Sequence, residues 1–442
     1  METEGSGLAA GQGHARDQGL VRGIGIVAFA AAIANEVVGS GIYRLPASMA
    51  AAAGTAAPLA YLFCLLAMGA IVLCFAEAGS RVPTSGGPYG YVEAAFGPLA
   101  GFVAGVLVWF SSVLACGGIT AAVADLAGSA VPALAQPGAH AAFIVVILGA
   151  VAGVNLLHVD IASRVIGWAT LVKLLPLGLF LLVGGIALAG GHHAPVPISQ
   201  APAAGLGRAV ILAMFALSGM ETPLAASGEV RDPERTVPRA LLLAMGSIGC
   251  AYVLVQLVAD GLLGAGLAGS AAPLADALGT IAPGWRAPLL AGAFFSMLFW
   301  LGSDLLGAPR VLFAFGRDRF LPPILGRLHP RWRTPYVAIL VHTLIALALA
   351  LSGTFEQLAV LSELAIAPLY AGVCAAALLL RRRGVALAGR ALTVPLLPLL
   401  AVVGIGSMGV LVGLAHGAEI LGLLAVLGAS VLLYGVSRAV RR

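Results

Sequence analysis

Apolar residues gather into long runs separated by short polar clusters. Runs of spanning length extend approximately over 22–51, 56–79, 99–127, 140–158, 161–190, 205–227, 236–263, 284–312, 335–353, 356–380, 391–413 and 416–437. A bilayer core about 30 Å thick takes roughly 20 apolar residues per helix, so each run is long enough to cross once. The pattern predicts an all-α polytopic membrane protein with about twelve transmembrane helices. Arginines alternate between the connecting segments. Arg81, Arg164, the groups Arg231, Arg235, Arg239 and Arg317, Arg319, Arg327, Arg331, Arg333, then Arg381 to Arg383 with Arg390, and the terminal Arg438, Arg441 and Arg442, share one side if the amino terminus lies inside. The opposite segments hold only Arg208 and Arg286, near helix ends. This positive-inside asymmetry predicts a multi-pass protein of the cell inner (plasma) membrane with both termini cytoplasmic.

Composition sharpens this picture. Of 442 residues 60% are hydrophobic and only 10% charged, with a mean hydropathy of +1.02, outside the range of soluble globular chains. One membrane domain is expected, with no large soluble one. Residues 1–20 are polar and glycine-rich, lack the basic start and apolar run of a signal peptide, and read as a disordered cytoplasmic tail. The net charge of +5 does not suggest nucleic acid, because the arginines punctuate apolar runs and no aromatic residues interleave with them. Cys64, Cys74, Cys116, Cys250 and Cys374 each lie in an apolar run without metal-ligand spacing, and read as thiols buried in helix packing. His192, His193 and His158 lie in connecting segments, and no metal site is expected. No hydrolase triad, phosphate-binding glycine loop or nucleotide motif stands out, so no enzyme activity is read.

Two runs carry breaks in their middle. The first holds Gly39-Ser40-Gly41, flanked by Val37, Val38 and Ile42, and the sixth holds Ser218-Gly219 followed by Pro223. Glycine tolerates non-helical dihedrals and proline deletes a donor, so both helices are expected to unwind there. Unwound backbone survives at membrane depth only where it lines a cavity or is buried in protein. Breaks in corresponding helices five apart point to a transporter site built from inverted repeats.

At these residues the chain resembles the amino acid, polyamine and organocation transporter superfamily over nearly its whole length. Four segments carry the resemblance: VVGSGIYRLP (37–46), PTSGGPYGYVEAAFGPLAGF (83–102), FALSGMETPLAASGEVRDPERTVPRAL (215–241) and GRDRFLPP (316–323). The resemblance implies a five-plus-five inverted-repeat fold with broken helices 1 and 6, comprising a transport core over 21–390 and two additional helices with a basic tail over 391–442. It also implies alternating access around a site near the membrane midplane.

An amino acid crossing lipid needs partners for its carboxylate and its ammonium. Free N–H groups at the start of one half-helix and open carbonyls at the end of the other supply them. The carboxylate is assigned to the amides of Ser40, Gly41 and Ile42, and the ammonium to carbonyls around Val37, Val38, Phe215 and Ser218, with Gly39, Gly219 and Glu221 completing the site. The serines alternatively bond only their own helices. Lys173 is the sole lysine, near the middle of the fifth run, where an ammonium must snorkel, pair or shed its proton. In the resembling family, proton-coupled and sodium-independent members carry a lysine at this place, so Lys173 is expected to replace sodium and touch the first helix near Gly39. A static structural cation is the other reading. Glu36 and Glu221 flank the breaks. Glu221 matches a position where some exchangers of the family carry a pH-sensing glutamate, while Glu36 is open to a substrate amine or to Lys173. The resemblance makes Phe215 an aromatic gate over the substrate. Asp304 and Arg310 lie six apart, on different faces, so an intrahelical pair is not expected and Asp304 is a candidate to face the cavity.

The expected activity is secondary active transport of an amino acid or related amine. Proton coupling without sodium and without a cofactor is anticipated, with exchange as the alternative mode. A non-transporting membrane sensor is the alternative from another class, but the sizeable terminal signalling domain it would carry is not seen in this sequence.

Overall fold

A computed structural model describes residues 23–440 apart from 40, 84–85, 158, 196–202, 226 and 388–390, with only the backbone of 159–172, 203–204, 228 and 440. The tail at 1–20, Ser40, His158, Arg390, Arg441 and Arg442 lie outside the described residues. Among the described residues the regular structure is helical, and the only β-pairing is an isolated bridge between Ile24 and Val230. Among the described residues, seven helical stretches are long and apolar enough to cross a membrane, and four shorter apolar helices accompany them.

The first apolar run folds as two helices, α1 (Ile26–Val37) and α2 (Gly41–Ala53). The second is α3 (Ala57–Arg81), followed by a short α4 (Gly87–Phe96) that hydropathy alone does not announce. Next come α5 (Pro98–Ala130), α6 (Pro137–Leu157) and α7 (Val159–Ala189). The sixth run is again divided, into α8 (Ala203–Leu217) and the single turn α9 (Glu221–Leu224). Then follow α10 (Pro233–Leu263), the short α11 (Pro273–Gly279), α12 (Arg286–Gly307) and α13 (Pro309–Arg317). Last are α14 (Tyr336–Ser352), α15 (Phe355–Arg382), α16 (Leu397–Gly413) and α17 (Gly417–Val440). Starts are encoded locally. Thr354 accepts from the backbone N–H of Gln357 in a full capping box opening α15, and Pro98 and Pro309 occupy the first helical turn, where the missing N–H costs no bond.

Packing places both divided runs centrally. Helix α2 lies on α8, α1 on α10, and α10 on α3, while α5 packs against α15, α14 and α12 on the other side. The entry to α1 is stitched to the segment after α9: Gly23 and Ile24 donate backbone N–H groups to the Glu229 carbonyl, and Arg231 donates to that of Ile24 at 2.9 Å. Four of the five cysteines are buried, as expected; Cys250 is exposed, because its position on α10 faces away from the bundle.

Two arginines that mark loop charge in the sequence are consumed in a buried cluster. Glu77, with no exposed surface, accepts from Arg81 Nε and Nη2 (3.0 and 2.8 Å), Arg381 Nε (2.6 Å), Arg381 Nη2, and the Val394 backbone N–H (2.9 Å). Arg81 also donates to the Val385 carbonyl, and Ser80 Oγ accepts from Leu392 N. Helices α3 and α15 and the link to α16 therefore share one carboxylate. Removing one member of a buried ion pair typically costs about 3–5 kcal/mol, since the remaining charges stay desolvated. Glu77→Ala is expected to lower the midpoint of thermal unfolding in detergent by several degrees; an unchanged midpoint would show that the cluster adds no net stability.

Candidate functional site

The two interruptions fall at the glycines. After α1, Val38 adopts φ −78° and ψ 78°, outside helical values, and Gly39 N–H turns back to the Val37 carbonyl at 2.9 Å. After α8, Gly219 takes φ +111°, a conformation in which a side chain is strained. The breaks touch. A Cβ on Gly219 would lie 3.4 Å from the Glu36 carbonyl oxygen and 3.5 Å from Val37 Cα, and one on Gly41 would lie 3.4 Å from Ala216 Cα.

Between them lies a cavity. Its first side is formed by Glu36, Val37, Gly39 and Gly41, and its second by Phe215, Ser218, Gly219 and Glu221. The facing wall comes from Ser111 and Ser112 of α5, Trp300 and Asp304 of α12, and Ser362 of α15. Nine of the residues singled out from sequence thus meet at one place, Asp304 among them. Val38 and Ile42 are buried in helix packing and are not among the lining residues.

Each half of the first break is held from outside. Trp300 Nε1 donates to the Glu36 carbonyl at 2.8 Å, and Ser303 Oγ donates to Glu36 Oε2 at 2.9 Å. Lys173 is buried and does not line the cavity. Its Nζ donates to the Asn35 carbonyl at 2.8 Å, and its own carbonyl accepts from Tyr43 Oη at 2.8 Å. One residue of α7 therefore grips both α1 and α2. The contact is with the first helix, four residues ahead of Gly39.

At the second break, Glu221 Oε2 accepts from Tyr370 Oη at 2.6 Å and from the Gly219 N–H at 3.1 Å. Ser218 Oγ donates to the Phe215 carbonyl at 2.9 Å, the intrahelical role open to it from sequence. Phe215 lines the cavity and meets Phe355 edge-on, with centroids 6.0 Å apart. Each of the two carbonyls at the breaks already accepts twice, Val37 from Gly39 N–H and Tyr252 Oη and Phe215 from the N–H and Oγ of Ser218, so a bound ammonium would displace one of these donors.

Several participants escape sequence reading because their partners lie far away along the chain. Tyr370, Trp300 and Ser303 carry no motif. Asp304, flagged as a cavity candidate, does line it; Arg310 lies beyond the end of α12, on α13, and is exposed. Asp304 receives Ser112 Oγ on Oδ1, while His342 Nε2 sits 3.1 Å from Oδ2. Cys116, Asp304 and His342 bring ligand-type atoms within 4.8 Å of one another, a cluster from three helices that no sequence spacing reveals. Glu363, fully buried on α15, has neither carboxylate oxygen hydrogen-bonded.

With this geometry in place, similarity to known proteins is informative. The profile described as "Amino acid permease" matches residues 24–426. An uncharacterized transporter of Mycobacterium tuberculosis is 31% identical over 92% of this chain and 89% of its own length. The serine/threonine exchanger SteT of Bacillus subtilis is 26% identical over 90% of this chain and 92% of its own. The branched-chain amino acid permease BcaP of the same organism is 25% identical over 79% and 78%.

Proposed function

We infer the activity from this premise: the chain belongs to the amino acid permease family. It is an integral membrane transporter rather than an enzyme. On our reading it moves amino acids across the cytoplasmic membrane by alternating access, with the cavity between the two breaks as the substrate site. The single observation carrying this is that the two glycine breaks, far apart in sequence, meet and line one cavity. The substrate carboxylate is assigned to the N–H groups of Ser40, Gly41 and Ile42, and the ammonium to carbonyls about Val37, Val38, Phe215 and Ser218. Phe215 serves as gate.

The packing supports a five-plus-five repeat with twelve crossings. Let α1/α2, α3, α5, α6 and α7 exchange with α8/α9, α10, α12/α13, α14 and α15. The contact of α5 with α15 then becomes that of α12 with α7, α5 with α14 becomes α12 with α6, and α1 with α10 becomes α8 with α3. All of these contacts occur. The core is taken as 21–390, with α16 and α17 in the added segment 391–442. The arginine asymmetry supports cytoplasmic termini.

Coupling is assigned to protons, without sodium and without a cofactor. Lys173 holds the place of the ion, its ammonium on the carbonyl just ahead of the first break. Glu36 and Glu221 are the further candidates for proton transfer. Exchange is the second mode, supported by the similarity to a serine/threonine exchanger. In proteoliposomes the protein is expected to take up at least one of a panel of labelled amino acids, faster under an inward proton gradient and indifferent to replacing sodium with choline. Absence of uptake and of counterflow for the whole panel would overturn the transport reading; dependence on sodium would overturn the coupling.

A further inference from the structure

The wall facing the breaks has a chemistry of its own. On α5 the lining positions 108, 111, 112, 115 and 119 form one helical face, and three of them, Val108, Ala115 and Ile119, are apolar. Beside this strip stands Asp304 of α12, only 3% exposed and reached from the cavity. Among the described lining residues three carry a carboxyl, Glu36, Glu221 and Asp304, and none carries an amino, guanidinium or imidazole group. Lys173 is turned to the Asn35 carbonyl instead.

The hydrogen bonds around Asp304 fix its role as an acceptor. His342 is fully buried, and its Nδ1 has no hydrogen-bond partner. A buried N–H without an acceptor is rarer and costlier than a bare acceptor, so the ring proton belongs on Nε2, pointed at Asp304 Oδ2. Ser112 gives its hydroxyl proton to Oδ1. Both neighbours therefore donate. The Cys116 thiol also lies against this cluster, within 4.8 Å of the Asp304 and His342 ligand atoms, and even with it counted as a third donor a carboxylate's roughly four acceptor positions are not all filled. The remainder are completed by whatever enters the cavity.

We propose that Asp304 is the specificity-determining residue for the substrate side chain, and that the transporter takes basic amino acids, whose methylenes lie along Val108, Ala115 and Ile119 and whose terminal ammonium meets Asp304. This inference rests on the cavity being the amino-acid site. A charged donor on a desolvated carboxylate makes a strong, directional bond, and an aliphatic chain ending in a methyl group leaves that carboxylate unanswered.

L-lysine and L-norleucine differ in little more than the terminal ammonium, so they isolate the effect. Calorimetric titration of the purified full-length protein is expected to show lysine binding at least about tenfold more tightly than norleucine, the worth of one charge-assisted hydrogen bond. Asp304→Asn is expected to erase that preference, bringing the lysine affinity of the variant down to its norleucine affinity. Equal affinity for the two ligands in the wild-type protein, which needs no variant to fold, overturns the proposal, as does a preference that survives in Asp304→Asn. Binding of serine or leucine with none of lysine sinks this inference alone. Failure of every amino acid to bind removes the reading of the cavity as well.

Discussion

Lys173→Ala is expected to abolish proton-driven uptake in proteoliposomes, a fall of at least about a hundredfold, while the protein still purifies as a folded species. The reasons lie in its two contacts. The ammonium is the donor on the Asn35 carbonyl, and the backbone of the same residue anchors Tyr43 of α2. Alanine keeps the second contact and deletes the first, so the fold persists and the charge is lost. Lys173→Arg separates proton carriage from static bracing. Arginine stays protonated at any accessible pH. A brace works as well with arginine as with lysine; a carrier does not. Uptake that keeps its dependence on the proton gradient in Lys173→Arg would remove Lys173 from the coupling step, and wild-type behaviour in Lys173→Ala would remove it from the mechanism altogether.

The second large effect is expected at Gly219. A branched side chain at φ +111° carries strain of roughly 1–3 kcal/mol, and its outer atoms would press on the backbone at Glu36 and Val37, already only 3.4–3.5 Å from an added Cβ. Gly219→Val should therefore pull the two breaks apart and weaken substrate binding by at least about tenfold, since about 1.4 kcal/mol corresponds to a factor of ten. Titration of the purified variant with an amino acid that the wild type binds is the measurement. Unchanged affinity would mean that substrate binding does not depend on this juncture. Gly41→Leu acts on the opposite side by a different route, because an added Cβ would sit 2.9 Å from the Tyr252 hydroxyl.

Much of this architecture was legible in the sequence, and the division follows physical lines. Water exclusion makes apolar run length diagnostic, so the helices from α3 to α17 that coincide with such runs were predicted within a few residues. The breaks were legible because glycine and proline act on their own backbone. Short helices such as α4 and α11 were not, since neither has spanning length and both depend on their neighbours. The far wall was also largely hidden. Asp304 stood out as an acid inside an apolar run, but its partners Ser112 and His342 lie 192 and 38 residues away, and nothing local marks them. Arg81 and Arg381 show the converse error of emphasis: both fit a topological charge pattern, and both are spent on Glu77. The side chains of Val38 and Ile42, beside the first break in sequence, are turned into helix packing, so the part assigned to these two residues is one for their main-chain groups.

The shared carboxylate of Glu77 bears on how the last two helices behave during the transport cycle. Val394 precedes α16 and donates its N–H to that carboxylate, while Arg381 returns to the Val394 carbonyl at 2.7 Å. The stretch leading out of α15 is thus moored to α3 as a strap rather than left as a tether. Helix α16, which also lies along α3 and α15, must travel with them whenever they shift. Excising the carboxyl-terminal pair at residue 390 would consequently do more than shorten the chain: it would strip a donor from a desolvated anion and loosen the junction of α3 with α15.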